Sequence, residues 1–280
     1  MADIRKVNPV HLAIMYTVVI IFAILAIYPL FWLIIQSFKT TQEYMSTSKL
    51  SFPRRWYFLN YPISWETGKF GILILNSIFY TSITVIANII LSFMAGFAFA
   101  KLPSKLTPFL HGIFIIGILL TLQSILVPLF LMTNATGMYN TRLGVLIPYI
   151  GIALPFGVYL STEFIKAIPT EVIESARLDG ARYLRIFRSI IMAMSAPVAV
   201  TVAILCITGT WNEFMLINIL VSKTELKSLP VGINQFSGAR ASDFGKQFSA
   251  LVIGMMPMII FYLIFRKRIT RGVAAGAVKG

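Results

Sequence analysis

The chain has 280 residues, of which 58% are hydrophobic and only 12% are charged. Soluble domains average about 45 to 50% apolar and about 25% charged residues, so this composition excludes an ordinary soluble protein and indicates an integral membrane protein. Lys and Arg total 24 against 10 acidic residues, a net charge of +14, but few charges interrupt the apolar runs. The basic residues are therefore interpreted as topology signals, and nucleic acid is not expected as a partner. The single cysteine, Cys206, excludes an intrachain disulfide and any multi-cysteine metal site.

Six stretches lack charged side chains for long enough to cross a bilayer, which takes about 20 apolar residues. The stretch 106–141 is too long for one helix and ends in turn-forming residues over 133–141, so we predict a helix followed by a short hairpin. The sequence therefore predicts an all-α membrane protein with a single domain over 1–280 and six transmembrane helices. They are expected at about 12–38, 72–100, 108–132, 143–162, 191–219 and 247–265.

The basic residues predict the orientation of these helices. Cytoplasmic loops of membrane proteins carry an excess of Lys and Arg. An arrangement with both termini in the cytoplasm places 14 of the 24 basic residues inside, three of them (Arg266, Lys267 and Arg268) directly after the last helix. The loop 39–69 then lies outside, where its tryptophans and tyrosines suit the membrane interface.

A stripe of small residues, Ser92, Gly96 and Ala100, recurs every four residues along the second predicted helix. Such a stripe lets a second helix approach closely. The stripe fits packing within the chain and also a subunit interface, and the sequence leaves both open.

Residues 163–190, called the elbow below, break the hydrophobic pattern. A helix can begin near Pro169 and stop at Gly180, which can adopt the left-handed conformation of a helix C-terminus. A second amphipathic segment follows, with Arg182, Arg185 and Arg188 along one face. Both segments are too short to span, so they are expected at the cytoplasmic surface, against either a partner's groove or anionic lipid.

The elbow resembles the EAA motif of ABC importer permeases, whose pattern is E-A-A, three residues, G, nine residues, I, one residue, L-P. Glu174, Ala176, Gly180 and Ile190 match it, whereas Ser175 replaces the alanine at the second position of the motif, and Met192 and Ala193 replace Leu-Pro. Trp211-Asn212-Glu213-Phe214 and the terminal segment 276–280 (G-A-V-K-G) are similar to the carbohydrate, maltose-type branch of the same family. Three further segments lie where the same family has similar residues: Asn76-Ser77, 137–141 and Ile168-Pro169. The resemblance therefore spans the chain.

This resemblance implies the membrane subunit of a type I ABC importer, located in the cell membrane of a prokaryote. The implied partners are a second homologous permease, two ATP-binding subunits, an extracytoplasmic solute-binding protein and the bilayer, and the implied substrate is a sugar or oligosaccharide. The sequence carries no phosphate-cradling G-x-x-x-x-G-K motif. The chain is accordingly not expected to be an enzyme, and ATP and Mg²⁺ are expected on the partner subunits. The residues implied in coupling are Glu174, Ser175, Ala176, Asp179, Gly180 and Ile190.

Two other classes of function would each require specific groups in the membrane. A secondary transporter or channel driven by an ion gradient needs ionisable groups inside the membrane, and Glu213 is the one candidate. A membrane-embedded enzyme needs a nucleophile with its base or a metal cluster, which the sequence does not offer. Polar or aromatic residues in or beside the apolar spans could line a sugar path or bond helix to helix. They are Asn76, Asn88, Gln123, Trp211, Asn212 and Glu213.

Overall fold

The computed structural model describes residues 9–102, 104–236 and 243–277, and within these ranges it contains helices and no strand. A π-helical turn at Phe187–Ile191 joins two short helices, and a 3-10 turn lies at Thr224–Leu226. The α-helices are α1 (Pro9–Gln36), α2 (Thr41–Ser46), α3 (Asn60–Thr67), α4 (Phe70–Lys101), α5 (Thr107–Leu119), α6 (Leu122–Ala135), α7 (Arg142–Lys166), α8 (Thr170–Leu178), α9 (Tyr183–Ile186), α10 (Met192–Met194), α11 (Ala196–Trp211), α12 (Met215–Leu220), α13 (Leu229–Gln235) and α14 (Phe244–Ala277).

Four of these helices, α1, α4, α7 and α14, are long and apolar enough to cross a membrane. Two further pairs reach the required length only together. The pair α5 and α6 is bent by 106°, and the segment Tyr183–Met194 meets α11 at 78°. Counting each bent pair as one span gives six, so the predicted all-α membrane fold is confirmed.

The third and fifth predicted helices differ from the expected continuous helices over 108–132 and 191–219. At the first break, Leu120 and Thr121 have extended backbone, and α6 begins after them. In the fifth span, Ser195 ends α10, and Pro197 is the second residue of α11, where a missing N–H breaks no helical hydrogen bond. A second interruption separates α11 from α12. At the other spans the observed bounds differ by a few residues, except that α14 continues to Ala277.

The chain divides into two compact units, residues 1–69 with 233–257 and residues 70–232 with 258–280. The expectation of one domain over 1–280 stays a prediction. In the second unit α4 packs along α7, and small residues permit the close approach. Ser161 Oγ donates a hydrogen bond to the carbonyl of Ser92 at 2.7 Å, and a Cβ on Gly96 would collide with Ser161. The small-residue stripe of α4 therefore serves packing within the chain.

Two apolar clusters fill the second unit. The first surrounds Tyr80 and Tyr149 and includes parts of α6 and α12. The second surrounds Phe93 and Phe97 of α4 and extends to α7, α11 and the elbow. One side of the elbow thus belongs to the core of this unit.

The first unit brings α1, α2, α3 and the beginning of α14 together. Residues 10–31 of α1 are all exposed, and a helix that is apolar on every side needs lipid or another protein around it. The loop after α1 is held by Asn60, whose Nδ2 donates to the carbonyls of Ser37 and Lys39 at 2.8 and 2.9 Å. Phe38 packs against the rings of Trp56, Phe58 and Tyr61 in this loop.

Candidate functional site

The first complete helix of the elbow is α8. Pro169 precedes it, and Glu171 lies in its first turn, where a negative charge complements the helix dipole. The helix ends as the sequence predicts. Gly180 has a φ of +79°, and the next residue, Ala181, donates its N–H to the carbonyl of Ala176 at 2.9 Å. A side chain at this φ would be strained, so glycine is required for the turn into α9.

One side of the elbow is buried in the second apolar cluster. Ile173 of α8 is 6% exposed, and Ile186 and Ile191 of the following segment are fully buried. The rings of Phe97 and Phe187 lie 6.0 Å apart. The two short helices are therefore fixed to α4 rather than resting loosely on the protein.

The other side of the elbow is exposed, and it carries Glu174, Ser175, Asp179 and Gly180. The other two predicted coupling residues, Ala176 and Ile190, are partly buried and pack against the second cluster. The six predicted residues thus divide into an exposed group and a group that attaches it to the core. Leu178, which is not among the predicted coupling residues, is 89% exposed at the tip of the elbow. An apolar residue at the polar end of an amphipathic helix is the signal that could have identified it.

Lys101 ties the base of the elbow to the end of α4. Its Nζ donates to the carbonyl of Ile168 at 2.6 Å and, at 3.4 Å each, to the carbonyl of Lys166 and to Thr170 Oγ1. The cation thereby satisfies carbonyls at the C-terminus of α7, where a positive charge is favourable. From the sequence, Lys101 is only one of the basic residues interpreted as topology signals.

A cavity of about 280 Å³, called the Asn88 cavity below, lies among α4, α7 and α11 with the start of α6. Its walls are mainly apolar, and Asn88, Thr210 and Glu213 supply polar groups. The lining residues are Asn88, Leu122, Tyr149, Ile152, Ala153, Phe156, Gly157, Val202, Leu205, Cys206, Gly209, Thr210 and Glu213.

Asn88 is 2% exposed, and its Oδ1 has no hydrogen-bond partner within the described residues. It lies close to Gly157 of α7, because a Cβ at that glycine would be 2.7 Å from Asn88 Oδ1. A buried carbonyl oxygen without a donor costs about 1 to 3 kcal/mol. The atom faces the close contact between α4 and α7, where Gly157 offers no side-chain donor.

Glu213 stabilises the interruption between α11 and α12. Its two carboxylate oxygens accept hydrogen bonds from the backbone N–H groups of Leu216 at 2.6 Å and Ile217 at 3.2 Å. The Tyr149 hydroxyl donates to Glu213 Oε2 at 2.7 Å. Glu213 therefore caps α12 and holds it to α7 while also lining the cavity.

Two of the six predicted path residues, Asn88 and Glu213, line this cavity. Asn76 Nδ2 instead donates to the carbonyls of Glu225 and Lys227 at 2.7 and 3.0 Å. The remaining three lie outside the lining: Trp211 is buried, Asn212 is exposed and donates to the carbonyl of Thr208, and Gln123 is exposed beside Met215.

Comparison with known proteins gives a consistent result. Residues 88–275 match the family model described as the binding-protein-dependent transport system inner membrane component. The trehalose transport system permease protein SugB of Mycobacterium tuberculosis is 32% identical over 272 residues, which cover 96% of this chain and 97% of that protein. The diacetylchitobiose uptake system permease protein NgcG of Streptomyces coelicolor is 29% identical over 269 residues, covering 95% and 89%.

The fold also matches a solved structure. A chain of a bacterial ABC transporter involved in the import of the acidic polysaccharide alginate superposes with a TM-score of 0.80 at 21% identity. The match covers 95% of this chain and 99% of the other. At this level of identity, the likeness establishes a shared fold.

Proposed function

Since this chain belongs to the family of binding-protein-dependent transport system inner membrane components, we propose that it is the permease subunit of an ATP-driven ABC importer for a sugar or oligosaccharide. The observation that carries this proposal is the match to permeases named for trehalose and diacetylchitobiose along nearly the whole chain. The multi-pass helical fold agrees with this role.

The elbow is the part of the chain suited to receive force from an ATP-binding partner. It presents polar side chains outward and is attached to α4 and α7 by buried isoleucines. Closure of the partner on ATP would move the elbow, and the attached helices would then switch access to the path between the two sides of the membrane. ATP and Mg²⁺ would be bound by that partner, because the sequence has no motif to cradle phosphates.

The complete importer would contain a second homologous permease, two ATP-binding subunits and an extracytoplasmic solute-binding protein. The exposed apolar surface of α1 supports burial against lipid or a neighbouring subunit. In the alternative of an ion-driven transporter, Glu213 would have to exchange ions or protons. It is instead hydrogen-bonded by two backbone N–H groups and Tyr149, which suits a structural carboxylate.

The test is uptake and ATP hydrolysis measured together in proteoliposomes that contain the assembled complex. We expect trehalose or another saccharide of a screened panel to enter with ATP, and the loaded binding protein to raise ATP hydrolysis. The purified chain alone should hydrolyse no ATP. Uptake driven by a proton or sodium gradient without ATP would reject this function in favour of a secondary transporter.

A further inference from the structure

We propose that residues 182–194, called the basic segment below, form a binding surface for the headgroups of anionic phospholipids. The segment comprises the second half of the elbow and its continuation to Met194, which lies at the bend before α11. The inference rests on the membrane fold and on the charges of the elbow. It therefore goes beyond sugar import and does not depend on it.

The first step concerns orientation. The helical segment Tyr183–Met194 meets α11 at 78°, and the two together form one of the candidate membrane spans. Membrane-spanning helices tilt by about 20° on average from the bilayer normal. When α11 crosses the bilayer, the basic segment therefore lies within about 30° of the membrane plane.

This orientation places the arginines of the segment at a similar depth. Arg182 and Arg188 are separated by six residues, or about 9 Å along a helix axis. At about 30° from the membrane plane they differ in depth by about 5 Å, whereas an upright helix would separate them by about 9 Å. The headgroup region of each leaflet is about 5 to 8 Å thick. One layer of headgroups can therefore reach both of these arginines and Arg185 between them.

The second step concerns charge. Arg182, Arg185 and Arg188 are exposed, and none of their guanidinium groups forms an ion pair within the part of the chain that the structure describes. Residues 182–194 contain no acidic residue that could neutralise them. Guanidinium groups bind phosphate oxygens through paired hydrogen bonds, and anionic lipids attract basic segments at a membrane surface. The headgroup phosphates supply the charge that the segment lacks.

The first half of the elbow has a different charge. On α8 and directly after it, Glu171, Glu174 and Asp179 present three exposed carboxylates. Arg177, the one basic residue among them, lies over the ring of Tyr183 at 5.3 Å. Anionic lipid repels an acidic surface. The acidic half therefore remains free for an ATP-binding partner, while the basic segment faces the bilayer.

Apolar side chains on the basic segment also fit a position at the membrane interface. Ile186 and Ile191 are fully buried against the protein, whereas Leu184 and Met194 are 56% and 42% exposed. The Tyr183 ring is 46% exposed, and tyrosine is enriched at membrane interfaces. A short helix whose exposed side combines arginines with apolar residues is typical of the boundary between headgroups and acyl chains.

The test measures which lipid headgroup lies beside the basic segment. Ser189 is exposed next to Arg188, so Ser189→Cys, in a Cys206→Ala background, provides a site for bimane in the complex that assembles with this chain. The complex is reconstituted in phosphatidylcholine vesicles that contain the same minor fraction of either spin-labelled phosphatidylglycerol or spin-labelled phosphatidylcholine. Phosphatidylglycerol should quench the bimane fluorescence more strongly. High salt should reduce this difference, because ions screen exposed charges.

The double variant Arg185→Gln/Arg188→Gln should lower the preference for phosphatidylglycerol about fivefold or more, since each arginine near an anionic surface favours binding by about fivefold. Arg185→Lys/Arg188→Lys keeps the charges and should retain most of the preference. Arg177→Gln is the matched control, because Arg177 is also an exposed arginine of the elbow but lies on α8 over the Tyr183 ring. It should leave the preference unchanged.

Three results would overturn the proposal. Equal quenching by the two lipids would show that anionic headgroups are not selected, and quenching by neither would place the basic segment against a protein partner. An unchanged preference in Arg185→Gln/Arg188→Gln would place the lipid site elsewhere. If this variant fails to assemble, the comparison of the two lipids at low and high salt with the arginines intact decides. Saccharide uptake is measured separately, and its failure would reject the proposed function without affecting this result.

Discussion

Asn88 on α4 occupies the space that a side chain at Gly157 on α7 would need. A Cβ at Gly157 would lie 2.7 Å from Asn88 Oδ1 and 3.0 Å from the Cβ of Ser92. Real Cβ contacts are essentially never shorter than 3.0 Å, so the asparagine side chain would have to move. The position of the Asn88 side chain thus depends on a glycine of the neighbouring helix.

Gly157→Ala is therefore expected to displace Asn88 and lower saccharide uptake. Alanine is normally favoured over glycine in a helix by about 1 kcal/mol, so lower thermal stability in this variant would have to come from the contact with α4. Gly151→Ala is the matched control on α7, because a Cβ there meets nothing within 4 Å. Normal uptake by Gly157→Ala, measured beside Gly151→Ala in proteoliposomes, would contradict this account.

The elbow gives a second prediction. Gly180→Val forces a side chain into positive φ, at a cost of roughly 1 to 2 kcal/mol, and Glu174→Lys reverses an exposed charge. Both variants should insert normally but weaken attachment of the ATP-binding subunit or uncouple ATP hydrolysis from uptake.

Gly137→Val is the control for strain alone, since Gly137 also has positive φ, at +69°, but lies in the hairpin after α6. It should retain coupling between hydrolysis and uptake. The measurement is uptake and ATPase activity in the same vesicles, after expression is checked. Normal coupling in both elbow variants, or improved lipid attachment with intact transport in Glu174→Lys, would assign the elbow to the lipid surface.

Lys39 gives a prediction about pH. The side chain is fully buried beyond the end of α1, where its Nζ donates to Ser51 Oγ at 3.0 Å and to the carbonyl of Ser48 at 3.3 Å. Burial lowers the pKa of Lys39 below its ordinary 10.5, and nearby Glu43 opposes this shift. Between the lowered pKa and 10.5, the unfolded chain binds more protons than the native one, so the free energy of unfolding rises with pH.

Thermal unfolding of the detergent-solubilised protein should accordingly show a gain in stability for the wild type, relative to Lys39→Met, as the pH approaches 10.5 from below. The variant lacks the titrating group and supplies the background from all other residues. An identical pH profile for the two proteins would show that Lys39 is hydrated in solution.

The orientation of the chain is tested by cysteine labelling. Single cysteines introduced at Ser48 and Asn234, in a Cys206→Ala background, should react with a membrane-impermeant reagent from outside. Cysteines at Ser104 and Thr270 should react only after the membrane is opened, because the basic residues favour cytoplasmic placement of the segments that contain them. The reverse pattern would invert the topology.

Local signals in the sequence were sufficient for part of this structure. Gly180 was predicted as a helix C-terminus with positive φ, and the observed +79° confirms it. The break at Leu120 and Thr121 carries no proline or glycine, so a continuous apolar run concealed it. The break after Trp211 depends on capping by Glu213 and on Tyr149, which lies 64 residues before Glu213 in the chain.

The cavity could not be predicted from sequence patterns, for a similar reason. Asn88, Gly157 and Cys206 come from three helices, and hydrophobic periodicity does not indicate which faces of fully apolar helices meet. Polar residues inside a span were recognisable as candidates for lining a sugar path or for bonding helix to helix. Their separation into Asn76, which binds loop carbonyls, and Asn88, which has an unpartnered oxygen, required the packing of the helices.

The attachment of the elbow to the core also limits how far the elbow can bend by itself. Lys101 links its base to α4, while Ile173 and Ile186 are packed in the same cluster as Phe93 and Phe97. A flexible hinge would dissipate a push delivered at Gly180 as local bending. Here the apolar contacts are tightly packed and deform little. A displacement of the elbow would therefore move α4, the helix that also carries Asn88.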